Sequence, residues 1–402
     1  MNHIAEQYVK LVLALGQHDG DYVDAYHGPE EWMAEARSVK RSLHEILHAA
    51  REALAGLRSI KQDKSNELVA LRHEYLTRQL ESLAARTEML QGRKFSFDEE
   101  SKALYDAVAP TYTEDHFRQL VRELGDELPG SGSVPTRYDQ FKRRFTIPPE
   151  KLDAVFSAAI RECRTRTRKH LHLPEEESFV IEYVTNKAWS GYNWYKGGSH
   201  SLIQINTDLP IAIDRAVDLA AHEGYPGHHV YNTLLEQNLL KQNGWVEFSV
   251  YALFSPQSLI AEGTANYGIE VVFTPAERIA FERDVLFPLA GLDASLVELY
   301  YRVHALFMKL AYAGNEAARG YLDGRFGAEE AIHWLVEYAL FSRERAEQRL
   351  RFFEKYRSYV INYNLGQDMV RRYIESRSTP DTRWEEFTKL ISSPRLPSGL
   401  EA

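Results

Sequence analysis

Two segments of the chain combine histidine and glutamate at spacings that can bind a metal ion. Residues 222–229 read H-E-G-Y-P-G-H-H, and residues 44–48 read H-E-I-L-H. In the pattern H-E-x-x-H, both histidines lie on one face of a helix and can bind the same Zn²⁺, while the glutamate acts as general base on a water molecule. The corresponding chemistry is metal-dependent hydrolysis.

The H-E-I-L-H segment has the required spacing, but its surroundings do not suit a catalytic metal. Leu43, Ile46 and Leu47 supply the apolar face of its helix, so His44 and His48 fall on the charged side. A catalytic zinc also needs a third ligand and a cleft with restricted access to water. We therefore expect this segment to be a solvated helix face.

The H-E-G-Y-P-G-H-H segment has imperfect spacing but a better context. It follows an apolar helical stretch, and Pro226 prevents a regular helix from continuing through it. We expect the backbone to bulge or break there, as often happens at functional sites. A bulge that absorbs two residues places His228 beside His222, with His229 as the alternative ligand or a supporting donor. A plain Gly-Pro turn that carries three histidines is the competing interpretation.

A third ligand is available in the segment I-A-E-G-T-A-N-Y-G-I-E, residues 260–270. Glu262 lies among small and apolar residues, where a carboxylate needs a cation or a hydrogen-bond donor as partner. Asn266 falls on the same helix face and is suited to orient that carboxylate. Two histidines of the first motif with Glu262 form the His₂Glu set of catalytic zinc. The sequence therefore predicts one Zn²⁺ per chain.

The elements that carry these residues are mainly helical, and we predict a mainly α (α+β) fold. Residues 1–128 read as an amino-terminal helical region, and residues 136–402 as the catalytic domain. The stretch L-P-G-S-G-S-V-P between them is dense in turn formers and is the best linker candidate. The two regions can also pack as one unit.

A short sheet is predicted just before the histidine-rich motif. Residues 178–184 and 201–207 alternate and are rich in β-branched and aromatic side chains, and the aromatic, glycine-rich residues 189–198 lie between them. We expect two or three strands in a small antiparallel sheet beside the active-site helix.

Composition limits the partners and the location. The 402 residues carry a net charge of −10, which argues against a nucleic-acid partner. No apolar run approaches the roughly 20 residues that span a bilayer, so we expect no membrane partner. The first residues lack a secretory signal pattern, and the single cysteine, Cys163, excludes an internal disulfide framework. We expect a cytoplasmic protein.

Three motifs together resemble a known family. H-E-G-Y-P-G-H-H, A-E-G-T-A-N-Y and N-Y-N-L-G (362–366) are similar to motifs of a bacterial family catalogued as a domain of unknown function. By its motifs that family is assigned to the zincin clan of metallopeptidases, the gluzincin type with a glutamate as third ligand. Its E-G-W-A-x-Y pattern matches Glu262 to Tyr267, with Thr264 in place of tryptophan, and the last motif lacks a preceding P-G-Q. The resemblance covers about residues 178–375.

The resemblance implies a mostly helical metallopeptidase, similar to the carboxypeptidase Taq and oligopeptidase folds, with a cleft beside a short sheet. In zincins the strand before the active-site helix offers its edge to the substrate backbone. Residues 189–198 and 201–207 suit that task, and an ordinary hairpin packed by its aromatic side chains is the alternative.

The leading interpretation is zinc-dependent hydrolysis of peptide bonds, with short peptides as substrates. Glu223 would take a proton from the metal-activated water and pass it to the leaving amine. Tyr363, by the resemblance, or Tyr267, by its closeness in sequence to Glu262, would donate to the developing oxyanion. A buried structural role is the alternative for each tyrosine.

Two other functions stay open at this point. One is a zinc hydrolase of a different amide or ester, and the other is a helical binding scaffold with a degenerate zincin site. Arg371 and Arg372 are candidates to clamp a substrate carboxylate, but we favour a surface ion pair for them.

Overall fold

The computed structural model describes residues 1–61 and 65–401, and it confirms a mainly helical chain with a small sheet. Nineteen α-helices and five short strands form this described part, and one continuous apolar core joins them. Within the same residues, no helix combines the length and the apolar character needed to cross a membrane.

The amino-terminal region contains the helices α1 (Asn2–Leu15), α2 (Glu30–Ser38), α3 (Leu43–Ser59), α4 (Glu67–Leu90), α5 (Phe97–Tyr105) and α6 (Glu114–Glu127). Ser42 and Ser96 begin α3 and α5 with capping boxes, in which the serine side chain and a glutamate three residues later satisfy each other's backbone N–H. These starts follow directly from the local sequence.

The predicted linker is a turn rather than a long spacer. Residues 129–133 are exposed, and Ser133 then caps α7 (Val134–Arg143). Gly130 and Gly132 have φ of 91° and 107°, which favours glycine at both positions.

The regions on either side of this turn share a buried interface. Strand β1 (Val23–Tyr26) pairs antiparallel with β5 (Val250–Ala252). Arg72 donates to both carboxylate oxygens of Glu247 over 2.5 and 2.9 Å, and both side chains are buried. The amino-terminal helices therefore belong to the same packed body as the rest of the described chain.

The remaining helices are α8 (Leu152–Thr167), α9 (Asp214–Leu219), α10 (His228–Leu235), α11 (Pro256–Val272), α12 (Pro275–Phe281), α13 (Phe287–Ala290), α14 (Val297–Met308), α15 (Ala313–Leu322), α16 (Ala328–Tyr338), α17 (Arg343–Tyr356), α18 (Ile361–Glu375) and α19 (Arg383–Ile391). Short 3₁₀ turns lie at Pro149–Lys151, Val246–Ser249, Ala294–Leu296, Arg357–Val360 and Pro397–Leu400. Wider π-helical turns lie at Ala220–Gly224, Glu236–Lys241 and Glu282–Leu286.

Helix α11 is buried on nearly all sides and crosses α18 at two glycines. A Cβ atom on Gly263 would lie 2.5 Å from the carbonyl carbon of Gly366, so the two backbones can meet only where both residues lack a side chain. This crossing holds Glu262, the neighbour of Gly263, deep in the molecule.

The sheet near the motif has three strands, β2 (Ser178–Val184), β3 (Gly191–Gly197) and β4 (His200–Asn206), in the order β2-β4-β3. Strand β3 pairs antiparallel with β4, but β2 pairs parallel with β4. The prediction of an antiparallel sheet is therefore wrong for one of the two pairings. The β3–β4 hairpin turns tightly with positive φ at Gly198 and Ser199. Strand β2 pairs with β4 rather than with its neighbour in sequence, β3, and it runs in the same direction as β4.

Candidate metal centre

The backbone of the H-E-G-Y-P-G-H-H segment is distorted, and the predicted bulge is confirmed. Helix α9 runs into the π-helical turn Ala220–Gly224, and α10 starts again at His228. Gly227 lies directly against the carbonyl oxygen of His222, where any Cβ atom would collide. This path brings the Nε2 atoms of His222 and His228 to 3.1 Å from each other.

Three side chains converge at this point. Oε2 of Glu262 lies 3.2 Å from Nε2 of His222 and 3.7 Å from Nε2 of His228. Two ligands of a tetrahedral zinc ion, each about 2.05 Å from the metal, are about 3.3 Å apart. The buried Oε2 atom of Glu262 also has no hydrogen-bond partner. The three residues therefore fit the donor set of one zinc ion, with the fourth position left for water or substrate.

The charges of Glu262 and His228 depend on one another. Burial would raise the pKa of Glu262, but the two imidazoles beside its carboxylate, those of His222 and His228, outweigh burial and lower that pKa strongly. Burial would lower the pKa of His228, but the Glu262 carboxylate raises it to about 9. Without a metal the carboxylate is therefore ionised and holds a proton on the imidazole, and a metal ion takes the place of that proton.

Asn266 supports a different member of the cluster than expected. It was predicted to orient Glu262, but its Oδ1 atom lies 2.9 Å from Nδ1 of His222. Its Nδ2 atom donates to the backbone carbonyl of Tyr363 over 2.9 Å. Because an amide oxygen only accepts, Nδ1 of His222 carries the proton and Nε2 is free to bind an ion. The Asn266 side chain thus bonds to the π-helical turn Ala220–Gly224 and to α18 rather than to the carboxylate on its own helix.

Glu262 is oriented by Tyr359, which we did not predict. The Tyr359 hydroxyl donates to Oε1 of Glu262 over 2.8 Å and leaves Oε2 for the metal. Tyr359 lies four residues before Tyr363, the tyrosine of the N-Y-N-L-G motif. Residues at this spacing share one face of a helix, and this was the feature of the sequence that could have indicated Tyr359.

Glu223 faces the same space as the three donors. It is 4% exposed, and a Cβ atom on Gly191 of strand β3 would lie 2.7 Å from its Oε1 atom. Its backbone carbonyl accepts a hydrogen bond of 2.7 Å from Nδ2 of Asn193 on the same strand. Burial raises the pKa of Glu223, against the effect of the neighbouring histidines. A raised pKa suits a group that must both accept and release a proton.

His228, which the sequence favoured as the second ligand, joins the cluster, and His229, the alternative ligand, does not. Nδ1 of His229 lies 2.9 Å from Oγ of Ser201, and Nε2 lies 3.0 Å from Oε2 of Glu177. Both ring nitrogens are thus engaged away from the metal donors. His229 instead ties the start of α10 to the sheet.

The two predicted tyrosines differ in position. Tyr363 lines the cavity in front of the donors, and burial with the nearby Glu262 carboxylate raises its pKa well above the ordinary value. Tyr267 packs against Phe387 and is not among the residues that line this cavity, so the structure does not bring it together with the donors. Five residues at 100° each turn Tyr267 about 140° around the helix from Glu262.

The H-E-I-L-H segment is a solvated helix face, as predicted. Glu45 completes the capping box of α3, in which it accepts a hydrogen bond of 2.7 Å from the backbone N–H of Ser42. His48 and Glu52 lie 3.3 Å apart, with side chains that are 65% and 70% exposed. The glutamate of this segment therefore starts a helix.

Arg371 forms the ion pair that we favoured over a substrate clamp. It bonds to Glu270 and, over 2.9 Å, to Asp368. The neighbouring Arg372 is exposed.

The donors and Glu223 open into one cavity of about 400 Å³. The edge strand β3 forms part of its wall, and so does Asp24 of β1, to which the Tyr192 hydroxyl donates. Burial raises the pKa of Asp24 to about 6. No local pattern identified Asp24, because strand pairing brings it to the site from the amino-terminal region.

Comparisons with other proteins reveal similarity of fold. No protein-family model and no curated protein matches the chain. A proposed lipoprotein from Colwellia psychrerythraea has 16% identity and a TM-score of 0.53, over 88% of this chain and 65% of that one. A proposed lipoprotein of unknown function from Shewanella oneidensis has 12% identity and a TM-score of 0.50, over 92% and 74% of the two chains.

A more distant match is the M32 carboxypeptidase from Deinococcus radiodurans R1, with 13% identity and a TM-score of 0.44, over 97% of this chain and 88% of that one. Of the first of these three proteins, the one from Colwellia, this chain spans 65% of the length. At these identities, the first two matches indicate a shared fold and nothing about activity.

Proposed function

We propose that this protein is a zinc-dependent hydrolase of peptide bonds, with short peptides as substrates. The observation that carries the proposal is the convergence of His222, His228 and Glu262, whose three donor atoms lie 3.1 to 3.7 Å from one another. One of these atoms, Oε2 of Glu262, is buried and has no hydrogen-bond partner. The resemblance to the zincin clan supports the same conclusion and stays a prediction.

A zinc ion at this position supplies an activated water and polarises the substrate carbonyl. Glu223 accepts a proton at its carboxylate and donates it to the leaving nitrogen, since it is buried in the same cavity and its pKa is raised. Tyr363 lines that cavity and is the candidate donor to the oxyanion. Asn266 and Tyr359 hold His222 and Glu262 in place.

Two features favour short peptides over folded proteins. The cavity of about 400 Å³ lies within the range of sites for small ligands. Strand β3 is an edge strand, and three consecutive residues of it, Gly191, Tyr192 and Asn193, line the cavity. An extended peptide can pair with such an edge. The cytoplasmic location and the absence of nucleic-acid and membrane partners stay predictions from composition.

The test combines metal analysis with a substrate panel. We expect about one zinc per chain after purification, and chelator-sensitive cleavage of tetrapeptides. The panel includes amidated small molecules and carboxylic esters. Cleavage of esters or small amides without peptides would favour the other hydrolase, and a protein without bound metal or turnover would favour the scaffold.

A further inference from the structure

Helix α17 brings two arginines to the cavity that holds the candidate metal centre. Arg345 and Arg349 are one turn apart, so they lie on one face of the helix, and both line the cavity. Arg345 is exposed and Arg349 is half-buried. One wall of the cavity therefore carries positive charge, and the proposed hydrolysis does not use it.

Neither arginine has an acidic partner among residues 1–61 and 65–401. Each guanidinium lies instead over aromatic rings, Arg345 at 4.7 Å from the ring centre of Phe341 and Arg349 at 4.5 Å from that of Phe352. By contrast Arg343, on the same helix, bonds to two glutamates over 2.9 and 3.0 Å.

A third arginine of the cavity wall, Arg215, already pairs with Asp218 over 3.2 Å. Burial among apolar groups lowers the pKa of Arg349 to about 10, because no carboxylate compensates its charge. A guanidinium in such surroundings gains strongly from an anionic ligand, and its planar donors match a carboxylate.

Two tyrosine rings connect this arginine with the metal donors. The guanidinium carbon of Arg349 lies 5.8 Å from the ring centre of Tyr363, and the ring centres of Tyr363 and Tyr359 lie 5.8 Å apart. Tyr359 in turn bonds to Glu262. Since one peptide residue spans about 3.5 Å, a substrate carboxylate on Arg349 would lie within a few residues of the candidate metal centre.

We infer that Arg349, with Arg345 beside it, binds the carboxyl-terminal carboxylate of the peptide substrate. The inference rests on the proposed function and defines its mode, which is cleavage near the carboxyl end. Hydrolysis breaks the C–N bond of the peptide with one water: the carbonyl carbon gains the hydroxyl group, the leaving nitrogen gains the remaining hydrogen as a proton, and the released carboxyl-terminal fragment keeps its carboxylate on Arg349. Two acids line the cavity apart from Glu223 and Glu262, and both already have partners: Asp24 accepts from Tyr192, and Asp218 pairs with Arg215 and Arg278. Neither provides an equally free site for an amino terminus.

Binding to the metal-free protein tests the inference without catalysis. We would titrate N-acetyl-leucine and N-acetyl-leucine amide calorimetrically into protein stripped of metal, so that the ion cannot hold the carboxylate. The acid should bind at least about tenfold more tightly than the amide, and Arg349→Gln should remove this difference. Arg343→Gln is the matched control on the same helix and should retain it. Equal affinities in the unmodified protein, or no binding of the acid, would overturn the inference without any mutation.

Kinetics with the zinc-loaded protein separates the inference from the proposed function. For an N-acetylated tetrapeptide, replacing the free carboxylate by an amide should raise KM roughly tenfold to a hundredfold with little change in kcat. Arg349→Gln should have the same effect on the free acid and little on the amide. Equal cleavage of acid and amide would leave a hydrolase but refute carboxylate binding. Absence of any peptide cleavage would refute the proposed function, and the titration would still decide on the carboxylate site.

Discussion

The hydroxyl of Tyr359 donates a hydrogen bond of 2.8 Å to one carboxylate oxygen of Glu262, and the other oxygen faces two histidines. The bond joins α11 to the 3₁₀ turn that precedes α18. It holds the carboxylate so that its second oxygen faces Nε2 of both His222 and His228.

Removing this hydroxyl should weaken metal binding while the fold persists. For Tyr359→Phe we expect zinc affinity to fall by about tenfold to a hundredfold, the usual effect of losing a residue that orients a ligand. Competition with a chromogenic chelator measures it. Tyr267→Phe is the control, since the Tyr267 hydroxyl is buried without a hydrogen-bond partner among the described residues. Equal losses in both variants would contradict the role given to Tyr359.

Glu223→Gln should abolish turnover and leave the metal bound. The amide retains the shape of the side chain but cannot accept the proton, so we expect peptide hydrolysis to fall by about a hundredfold to ten-thousandfold. Zinc content by elemental analysis should stay at that of the unmodified protein, because Glu223 is not among the three converging donors. A zinc-loaded variant that still hydrolyses peptides would refute the assignment of the general base.

The two histidine-glutamate segments should differ completely in metal binding. Replacing His44 and His48 together by alanine should leave the zinc content unchanged, because both side chains lie on the exposed face of α3. Replacing His222 and His228 together should remove the metal, since two of three ligands are lost. Zinc-to-protein ratios after dialysis against a weak chelator compare the two pairs. Zinc loss from the first pair would require a second site.

The crossing of α11 and α18 should tolerate no side chain. In Gly263→Ala the added Cβ atom meets the Gly366 backbone at 2.5 Å, and the backbones must separate. We expect the free energy of unfolding to fall by about 1–3 kcal/mol, as for other overpacked cores. Gly314→Ala in α15 is the matched control, because its Cβ atom would have no neighbour within 4 Å and alanine favours a helix. Urea denaturation should therefore find the control as stable as the unmodified protein, or more stable.

Acid should unfold the protein partly through Glu177. Burial alone would raise the pKa of this carboxyl, but hydrogen bonds from His229, Tyr225, Arg164 and Arg168 lower it from 4.5 to about 2. A pKa below the ordinary value stabilises the fold above pH 4.5, and this contribution, on the order of 3 kcal/mol, is lost as the pH falls towards 2.

Glu177→Gln should accordingly lower the free energy of unfolding at neutral pH, and the difference from the unmodified protein should shrink below pH 4.5. Urea titrations between pH 7 and pH 2 measure it. The exposed neighbour Glu176, changed to Gln, should stay within about 0.5 kcal/mol at neutral pH. A constant difference across the whole range would contradict the argument.

The sequence was informative where local chemistry decides the structure. Pro226 and its flanking glycines exclude a regular helix, so the bulge was predictable, and an acid among small apolar residues identified Glu262. Tyr359 and Asp24 were not predictable in the same way, since they come from segments far away in the chain. Whether β2 takes part in a parallel or an antiparallel pairing depends on which of the two later strands lies beside it, and the alternation of side chains carries no information on that.

Strand β1 lies within the first 30 residues and pairs with β5, so this part of the fold joins two segments that are synthesised at very different times. During synthesis the amino-terminal strand leaves the ribosome long before its partner, and it must stay unpaired until more than 220 further residues have followed (Val23 pairs with Ala252). Contacts of such long sequence separation form late. The part of the cavity wall that Asp24 contributes can therefore be completed only after Ala252 has been synthesised.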